Sequence, residues 1–351
     1  MAKLGIVLFN LGGPDAPEAV RPFLFNLFND PAIIAAPAVI RRVIAWLISS
    51  RRAPVAQRIY AHLGGRSPLL ELTRLQAAAL TEALQQGSDD ELRVFVAMRY
   101  WHPLTEQVVA EVKAWAPDRL VLLPLYPQYS TTTTASSLVA WKRAAAAAGM
   151  AVPTVSVCCY PTEEGMIRGQ ADLLRRSLAE AEAKLGVGGV RVLFSAHGLP
   201  KKVVERGDPY QFQVEMTANA IWQATGRSDL DWLVSYQSRV GPMEWIGPAT
   251  DAEIRRAGRD GKGLVVQPIA FVSEHSETLV ELDIEYGHLA QEARVPLYLR
   301  VPALGVHPDF IRALADLVQR SLIAGCDPCS EHGGRICPAA STRCAHAETA
   351  S

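Results

Sequence analysis

Eight short apolar runs alternate with longer stretches rich in Ala, Leu and Glu along most of the chain. The strand-like runs lie near 4–10, 93–98, 119–125, 153–159, 190–195, 231–236, 263–269 and 296–301. The helix-like stretches lie at 69–86, 104–115, 134–148, 163–185, 210–225 and 308–323. Such alternation predicts parallel sheets covered by helices. Because four strand-like runs fall on each side of about residue 160, and 351 residues suffice for two domains, we expect an α/β fold with two similar halves.

The most unusual segment is 268–286, where an apolar run leads into several ionisable residues without one Lys or Arg. These are His275, Glu274, Glu277, Glu281, Asp283 and Glu285. In an α-helix, Glu274, Glu277, Glu281 and Glu285 would form one stripe, with Leu279, Leu282 and Tyr286 opposite it. Like charges four residues apart repel one another, so either water solvates this face or a cation visits it. A solvated face is one interpretation, and a transit path for a divalent transition metal is the other, because carboxylates with an imidazole suit such an ion.

A single histidine ends the strand-like run at 190–195. His197 is followed by Gly198 and soon by Pro200, which places it at the C-terminal tip of the strand. Ligands of open parallel sheets bind at that edge. A purely structural histidine is the alternative, but an imidazole that is neutral near pH 7 is a natural proton acceptor.

Two further strings place polar and aromatic side chains after strands. Residues 119–134 predict a buried strand followed by a hydroxyl-rich turn, and 236–250 predict a strand followed by a Gly/Pro-shaped loop that presents Trp245. The Gly12-Gly13 turn lacks the G-x-G-x-x-G pattern, so no dinucleotide or ATP site is predicted. With 35 basic and 36 acidic residues, the net charge of −1 gives no general attraction to nucleic acid.

The longest apolar region, residues 31–52, is interrupted by Pro37 and by Arg41 and Arg42. A transmembrane helix needs about 20 uninterrupted apolar residues, so this segment should not cross a bilayer. Two interpretations stay open. Trp46 and the terminal arginines suit a helix at a membrane interface, whereas a core helix packed on the sheet would also be apolar.

The C-terminal segment contains four of the six cysteines in a C-x2-C-x7-C-x6-C arrangement, at Cys326, Cys329, Cys337 and Cys344. The N-terminus lacks the pattern of a secretory signal, so we expect a cytoplasmic protein. In a reducing compartment, clustered cysteines indicate metal ligation rather than disulfides. Spacing does not separate an iron–sulfur cluster from structural zinc, for which His332 or His346 could replace one sulfur.

Taken together, several motifs resemble the ferrochelatase family, whose members insert ferrous iron into a porphyrin. The resemblance spans about residues 4–323 and rests on Leu8–Pro14, Arg99–Pro103, Ser195–Pro200 and the segments 119–134, 236–250 and 268–286. It implies two Rossmann-like domains at 1–160 and 161–323, with the active site in the cleft between them. Residues 31–52 would be the lip of the porphyrin pocket and would touch the inner face of a membrane peripherally, and 324–351 would be a metal-cluster tail. Neighbouring enzymes of haem synthesis are further expected partners.

The resemblance also implies roles for individual residues. His197 would face the pyrrole nitrogens as proton acceptor or metal ligand, paired with Glu277. The metal conduit would comprise His275, Glu281 and Glu285, whereas Asp283 lies off the stripe. Porphyrin-binding residues would be Arg99, Tyr100, Tyr126, Ser130 and Trp245.

For the tail, the resemblance implies a [2Fe-2S] cluster on Cys326, Cys329, Cys337 and Cys344, with Cys158 or Cys159 as a candidate internal ligand. The vertebrate pattern places the internal cysteine where this chain has Thr131, so that ligand set does not transfer. The expected substrates are ferrous iron and protoporphyrin IX or coproporphyrin III. A chelatase for another metal or tetrapyrrole, and a non-catalytic porphyrin or haem carrier, are the alternatives.

Overall fold

Two units of the chain each carry one parallel sheet. The computed structural model describes residues 2–86, 89–239 and 241–347. Contacts between Cα atoms group Met1–Cys159 with Leu314–Ile336 in a first unit, and Tyr160–Ala313 with Cys337–Ala347 in a second. Residues 348–351 of the predicted tail lie outside the described residues.

The sheet of the first unit has five strands in the order β2-β1-β3-β4-β9, all parallel. The strands are β1 Lys3–Asn10, β2 Glu91–Met98, β3 Arg119–Pro124, β4 Thr154–Cys159 and β9 Cys329–Ser330. The interior strand β1 is buried along nearly its whole length. A parallel strand covered on both faces favours such a continuous apolar run, here Ile6, Val7 and Leu8.

The sheet of the second unit has the order β6-β5-β7-β8, again all parallel. Its strands are β5 Val190–His197, β6 Asp231–Gln237, β7 Gly263–Pro268 and β8 Tyr298–Arg300. Strand β5 lies in the middle and is buried up to its last residue, His197. The eight predicted strands all occur, and β9 is an addition from the tail.

Helices flank both sheets. They are α1 Val20–Phe28, α2 Ala38–Ala61, α3 Leu69–Gln85, α4 Thr105–Trp115, α5 Thr134–Ala147, α6 Glu164–Leu185, α7 Lys201–Glu205, α8 Tyr210–Thr225, α9 Thr250–Asp260, α10 Tyr286–Glu292 and α11 Pro308–Ala324, with a 3-10 turn at Pro17–Ala19 and a π-helix at Glu277–Glu285. Leu193, Leu264 and Val266 pack against Ile254 and Ala257 of α9 in the core of the second unit. The predicted α/β class with two parallel sheets covered by helices is confirmed.

The prediction of an α-helix across the acidic segment is wrong. Residues 277–285 form a π-helix, whose hydrogen bonds run from residue i to i+5, and Glu274 lies before it. The changed periodicity brings Tyr286 to the same side as Glu281, and the hydroxyl of Tyr286 donates to Glu281 Oε1 at 3.2 Å. The four carboxylates therefore do not form the single stripe that an α-helical period predicts.

Helix α2 begins after Pro37 and packs through small buried residues, Ala45, Ser49 and Ala53. Its principal helical neighbour is α1, so the prediction of a core helix on the sheet is wrong. Large apolar side chains on its other side stay exposed, namely Val39, Ile40, Val43, Trp46 and Leu47. No described helix is both long enough and apolar enough to cross a bilayer.

The tail is tied to the first sheet. Strand β9 pairs with β4, the Asp327 carboxylate accepts the backbone N–H of Ser156 at 3.1 Å, and the N–H of Glu331 donates to the carbonyl of Cys159 at 3.0 Å. Cys326 and Cys329 form a disulfide, where the sequence predicted two thiolates that ligate a metal.

Helix α9 packs against the end of α10, the helix that follows the π-helix, and this packing requires a glycine. A Cβ on Gly258 would lie 2.0 Å from the carbonyl oxygen of Ala293, whereas a Cβ on Gly287 in α10 would meet no heavy atom within 4 Å. We expect Gly258→Ala to destabilise the protein by about 1–3 kcal/mol because backbone must move. Gly287→Ala is the matched control and should be neutral or stabilising by about 0.5–1 kcal/mol. Urea unfolding of both variants is the measurement, and equal effects would contradict this packing.

Candidate active site

Three neighbouring strands of the second sheet deliver the predicted catalytic residues to one edge. His197 is the last residue of β5 and pairs in register with Gln237 at the end of β6. On the other side of β5, β7 ends at Pro268 and the chain continues to His275 and the π-helix. Because parallel strands end at the same edge, residues far apart in sequence meet there.

His197 and Glu277 form a hydrogen-bonded pair, with Nδ1 of the imidazole 2.8 Å from Oε2 of the carboxylate. Desolvation is the largest single influence and lowers the pKa of His197, but the charge and hydrogen bond of Glu277, together with the charge of Glu281, outweigh it and raise this pKa above its usual value. Burial would raise the pKa of Glu277, but the charge and hydrogen bond of His197 outweigh it and lower this pKa to about 2. The carboxylate is therefore ionised at neutral pH, which fixes the proton of neutral His197 on Nδ1 and leaves Nε2 as the acceptor.

His275 lies beside the same carboxylate, with Nε2 4.0 Å from Glu277 Oε2. Desolvation lowers the pKa of His275 below its usual value, and the neighbouring carboxylates only partly offset this. Its ring packs against Phe271, with 4.5 Å between the ring centroids, and its buried Nδ1 has no hydrogen-bond partner among the described residues. A neutral imidazole next to an ionised carboxylate is a suitable pair of ligands for a divalent ion.

The carboxylate of Glu281 is surrounded by donors. Oε1 accepts the backbone N–H of Ser238 at 2.8 Å and the hydroxyl of Tyr286 at 3.2 Å. Oε2 accepts the hydroxyl of Ser238 at 2.5 Å and the side-chain amide of Gln237 at 3.1 Å. Burial and the nearby charge of Glu277 raise the pKa of Glu281, although the hydrogen bonds from Ser238 oppose this.

The other acidic residues of the segment have separate environments. Arg300, which the sequence did not single out, donates to Glu274 at 2.7 Å and to both oxygens of Asp283 at 2.6 and 2.8 Å. Burial raises the pKa of Glu274, but Arg300 and other donors lower it below its usual value. Glu285 is exposed on the π-helix. Only Glu277 and Glu281 therefore share hydrogen-bonding partners at the strand ends.

Trp245 packs beside the histidine strand. A short bridge joins it to Pro200, and a Cβ on Gly198 would lie only 3.3 Å from the indole ring and 3.0 Å from the carbonyl oxygen of Gln237. The glycine after His197 therefore permits the loop that carries Trp245 to approach closely.

In the first unit, Arg99 is held by a carboxylate that sequence reasoning missed. Asp30 is 4% exposed and accepts hydrogen bonds from Arg99 Nη2 at 2.8 Å, from the Tyr100 hydroxyl at 2.9 Å and from the Ser136 hydroxyl. Arg99 Nε also donates to Ser136 at 2.8 Å, and Nη1 makes no hydrogen bond to any described residue. Nothing in the spacing of Asp30 and Arg99, 69 residues apart, indicates this contact.

Three of the predicted porphyrin-binding residues are inside the first unit. Tyr100, Tyr126 and Ser130 are 1%, 8% and 1% exposed. Tyr126 belongs to the cluster that contains Phe9 and Trp141, and burial raises its pKa. Arg99 keeps 22% of its side chain exposed and is the accessible member of this set.

The cysteines provide sulfur donors but not an assembled metal site. Besides the Cys326–Cys329 disulfide, Cys158 and Cys159 are buried with their sulfurs 3.5 Å apart, and the Gln213 amide donates to Cys337 Sγ at 3.1 Å. Cys344 is also buried. Within the described ranges, no group of three or more His, Cys, Asp or Glu side chains is arranged to hold a metal ion. The chemistry of the donors suits an iron–sulfur cluster, and the Cys326–Cys329 disulfide withholds two of the four predicted sulfurs from such a cluster.

The fold and the strand-end site define an α/β protein with paired parallel sheets and a histidine–carboxylate pair that can move protons. Comparison of structures shows the same fold in SirB from Bacillus subtilis with Fe3+, with a TM-score of 0.51 and 11% identity over 92% of this chain and 96% of that chain. The sirohydrochlorin chelatase SirB from Bacillus subtilis subspecies spizizenii in complex with cobalt gives a TM-score of 0.51 at 10% identity, covering 92% of this chain and 95% of that one.

The sequence comparisons are more specific. The family model for ferrochelatase matches residues 3–322. The chain is 55% identical to the ferrochelatase of Phenylobacterium zucineum over 98% of both chains, and 54% identical to that of Caulobacter vibrioides over 99% of both. The chain belongs to the ferrochelatase family.

The raised pKa of His197 and the lowered pKa of Glu277 predict the pH range in which their pairing stabilises the fold. The contribution of His197 to stability is complete below pH 6.5 and is lost as the pH rises through its raised pKa. The contribution of Glu277 is complete above pH 4.5 and is lost as the pH falls towards about 2. We expect Glu277→Gln to lower the pKa of His197, because only the weaker influence of the Glu281 charge then opposes burial. NMR titration of the His197 ring, assigned by comparison with His197→Asn, is the measurement, and an unchanged pKa would disprove the pairing.

Proposed function

We propose that the protein inserts ferrous iron into a porphyrin, forming haem and releasing two protons. The observation that carries this proposal is the His197–Glu277 pair at the end of β5, in a chain of the ferrochelatase family. Proton removal and metal delivery both need groups of this kind, since two pyrrole N–H bonds must break as one divalent ion enters the ring.

The pair supplies the base. Nε2 of neutral His197 accepts a pyrrole proton, and ionised Glu277 stabilises the imidazolium that forms. The imidazolium must return its proton to water before it accepts the second. Insertion activity should accordingly rise with pH through the raised pKa of His197.

The metal side of the reaction involves His275. Its neutral imidazole and the Glu277 carboxylate, 4.0 Å apart, can hold ferrous iron as it arrives, and exposed Glu285 can attract the ion at the start of its path. His197 itself is a ligand only before it takes up a proton, so its roles as base and as metal ligand are exclusive at any one moment.

We assign porphyrin binding to those predicted porphyrin-binding residues whose side chains are accessible. Arg99, with Nη1 still available, suits a propionate, and Trp245 suits the apolar ring. Tyr100, Tyr126 and Ser130 are buried, so we assign them to the support of Arg99 and of the surrounding surface. Assays with protoporphyrin IX and coproporphyrin III distinguish the two candidate substrates, and parallel assays with other divalent metals test the alternative chelatase.

A non-catalytic carrier is less consistent with the site. A carrier needs an apolar pocket and an axial ligand, but it does not need a carboxylate that raises the pKa of the histidine. The cytoplasmic location, the peripheral membrane contact and the contacts with neighbouring haem-synthesis enzymes stay predictions. The exposed apolar face of α2 supports the membrane contact.

For the tail, we propose that a [2Fe-2S] cluster binds once the Cys326–Cys329 disulfide is reduced. The support is the cysteine spacing, the burial of Cys337 and Cys344, and the pairing of β9 with β4, which places the tail alongside Cys158 and Cys159. The cluster enters no step of the insertion reaction, and its binding energy would serve folding. A zinc ion held with His332 or His346 is the alternative.

Metal analysis of protein purified anaerobically with a thiol reductant tests the tail. We expect two irons and two labile sulfides per chain, with visible absorption that bleaches on reduction. Cys329→Ser should lose the iron and lower the melting temperature, while Ser341→Ala, a change at a non-sulfur residue of the tail, should retain it. One zinc without sulfide, or metal-free protein of full stability, would reject the cluster.

The central test of the function is His197→Ala in an anaerobic insertion assay. We expect insertion to be lost while porphyrin binding, followed by fluorescence, survives, because apolar contact over a large ring does not depend on one imidazole. His288→Ala, at an exposed histidine of α10, is the matched control and should be fully active. Residual activity above about a tenth, which corresponds to less than ~1.4 kcal/mol in the barrier, would remove His197 from the centre of the mechanism.

A further inference from the structure

Arg99 directly follows β2, and neighbouring side chains hold two of its guanidinium nitrogens. Nε donates to the hydroxyl oxygen of Ser136 at 2.8 Å, and Nη2 donates to Asp30 Oδ2 at 2.8 Å. The single hydroxyl hydrogen of Ser136 is donated to Asp30 Oδ2, while the oxygen of the same hydroxyl accepts the N–H of Arg99, so the two contacts do not compete. Nε and Nη2 form one edge of the planar guanidinium, and protein groups therefore occupy this edge.

Two further contacts restrict the movement of Arg99. Its Cζ lies over the ring of Tyr100, 5.0 Å from the ring centroid, at a distance that suits a cation–π interaction. Its backbone N–H donates at 2.8 Å to the carbonyl of Asn10, the last residue of β1. Arg99 is thus held at its main chain, by an aromatic ring and along one edge of its guanidinium.

Asp30 is itself fixed in the turn that follows α1. It is buried, and its Oδ1 accepts the backbone N–H of Ala32 at 2.8 Å. The hydroxyl of Tyr100 donates to Oδ2 at 2.9 Å, and the backbone carbonyl of Asp30 accepts the N–H of Ile34 at 2.9 Å. A buried carboxylate with both oxygens engaged keeps one position, and so does the edge of Arg99 that it holds.

The remaining donors of Arg99 are left for a ligand. An arginine has five N–H groups in one plane, and Ser136 and Asp30 take two of them. Among the described residues, the other three make no hydrogen bond. One N–H of Nη1 and the second N–H of Nη2 point the same way and form the end edge of the guanidinium, which matches the two oxygens of a carboxylate. Part of the Arg99 side chain is exposed, so a ligand can reach it.

We propose that Asp30 and Ser136 are positioning residues that hold Arg99 by one edge, so that its end edge binds one carboxylate of the substrate through two parallel hydrogen bonds. That the carboxylate is a porphyrin propionate rests on the proposed function. An arginine that is already held loses less conformational freedom on binding than a mobile one, so the clamp increases affinity for the carboxylate without touching the ligand.

The measurable consequence is a preference for a free carboxylate over its ester. Methyl esterification removes the negative charge and the second equivalent oxygen but leaves the apolar ring unchanged. The carboxylate preference is the dissociation constant of protoporphyrin IX dimethyl ester divided by that of protoporphyrin IX, both measured by fluorescence titration in the same detergent. We expect Arg99→Ala to lower this preference about 10-fold, since a charge-assisted hydrogen-bonded pair is lost.

Asp30→Asn tests the positioning role. Asparagine has one side-chain oxygen and no charge, so it cannot serve both Ala32 and Arg99 as acceptor. We expect the carboxylate preference to fall about 5- to 10-fold, while the dissociation constant of the ester stays within twofold. Ser136→Ala removes the acceptor of Nε but keeps the ion pair, and it should lower the preference about 2- to 5-fold. This second variant keeps the test available if Asp30→Asn fails to fold.

Asp90→Asn is the matched control. Asp90 precedes β2, at the opposite end of the strand from Arg99, and its Oδ2 lies 4.0 Å from Nη2 of Arg119. The variant weakens an aspartate–arginine pair of the same sheet and should leave the carboxylate preference unchanged. Equal weakening of acid and ester binding in Asp30→Asn would show a merely structural role and overturn the proposal, as would unchanged binding of both porphyrins in Asp30→Asn and Ser136→Ala.

The binding titration needs no iron and therefore separates the clamp from the proposed function. If the unsubstituted protein prefers the free acid but inserts no iron, the proposed function fails, while loss of the preference in Asp30→Asn still supports positioning. If the unsubstituted protein shows no preference, the clamp is wrong even when insertion is active. In the insertion assay, Asp30→Asn should raise KM for protoporphyrin IX about 5- to 10-fold and leave kcat and KM for iron within twofold, because uniform binding is lost.

Discussion

The site depends on one contact, the hydrogen bond between Nδ1 of His197 and Glu277. This contact ionises the carboxylate, sets the tautomer of the imidazole and raises the pKa of His197. It joins the end of β5 to the first residue of a π-helix 80 positions later. Parallel strands end at the same edge of a sheet, so the end of β6 lies beside this pair, and the amide of Gln237 donates to the backbone carbonyl of Glu277 at 3.3 Å.

The carboxylates of the acidic segment 274–285 make different contacts. Arg300 donates to both Glu274 and Asp283, so these two carboxylates anchor the segment to β8. Glu281 is satisfied by four donors, and Glu285 remains exposed to water. Arg300 and the donors around Glu281 thereby offset part of the mutual repulsion among these carboxylates, while the charge of Glu277 still raises the pKa of Glu281.

The tail shows how sequence and structure can give different information about the same residues. The spacing of its cysteines indicates soft ligands for a metal. Spacing does not show whether the cysteines are thiols or are joined in a disulfide. The structure joins Cys326 to Cys329 and adds β9 to the first sheet, which gives the tail an attachment that does not need a metal. Cys326 and Cys329 could bind a cluster only after their disulfide is reduced, whereas the pairing of β9 with β4 does not depend on the redox state.

The sequence by itself determined the fold class, the positions of eight strands and the place of His197 at a strand tip, because these follow from local apolar periodicity and chain-breaking residues. Its motifs also identified the family. Only the tertiary structure decided that residues 277–285 form a π-helix, that Asp30 holds Arg99, and that Ser238 donates its N–H and its hydroxyl to Glu281. Those features depend on side chains from separate strands meeting at one sheet edge or in one core, and no local pattern in the chain encodes such a meeting.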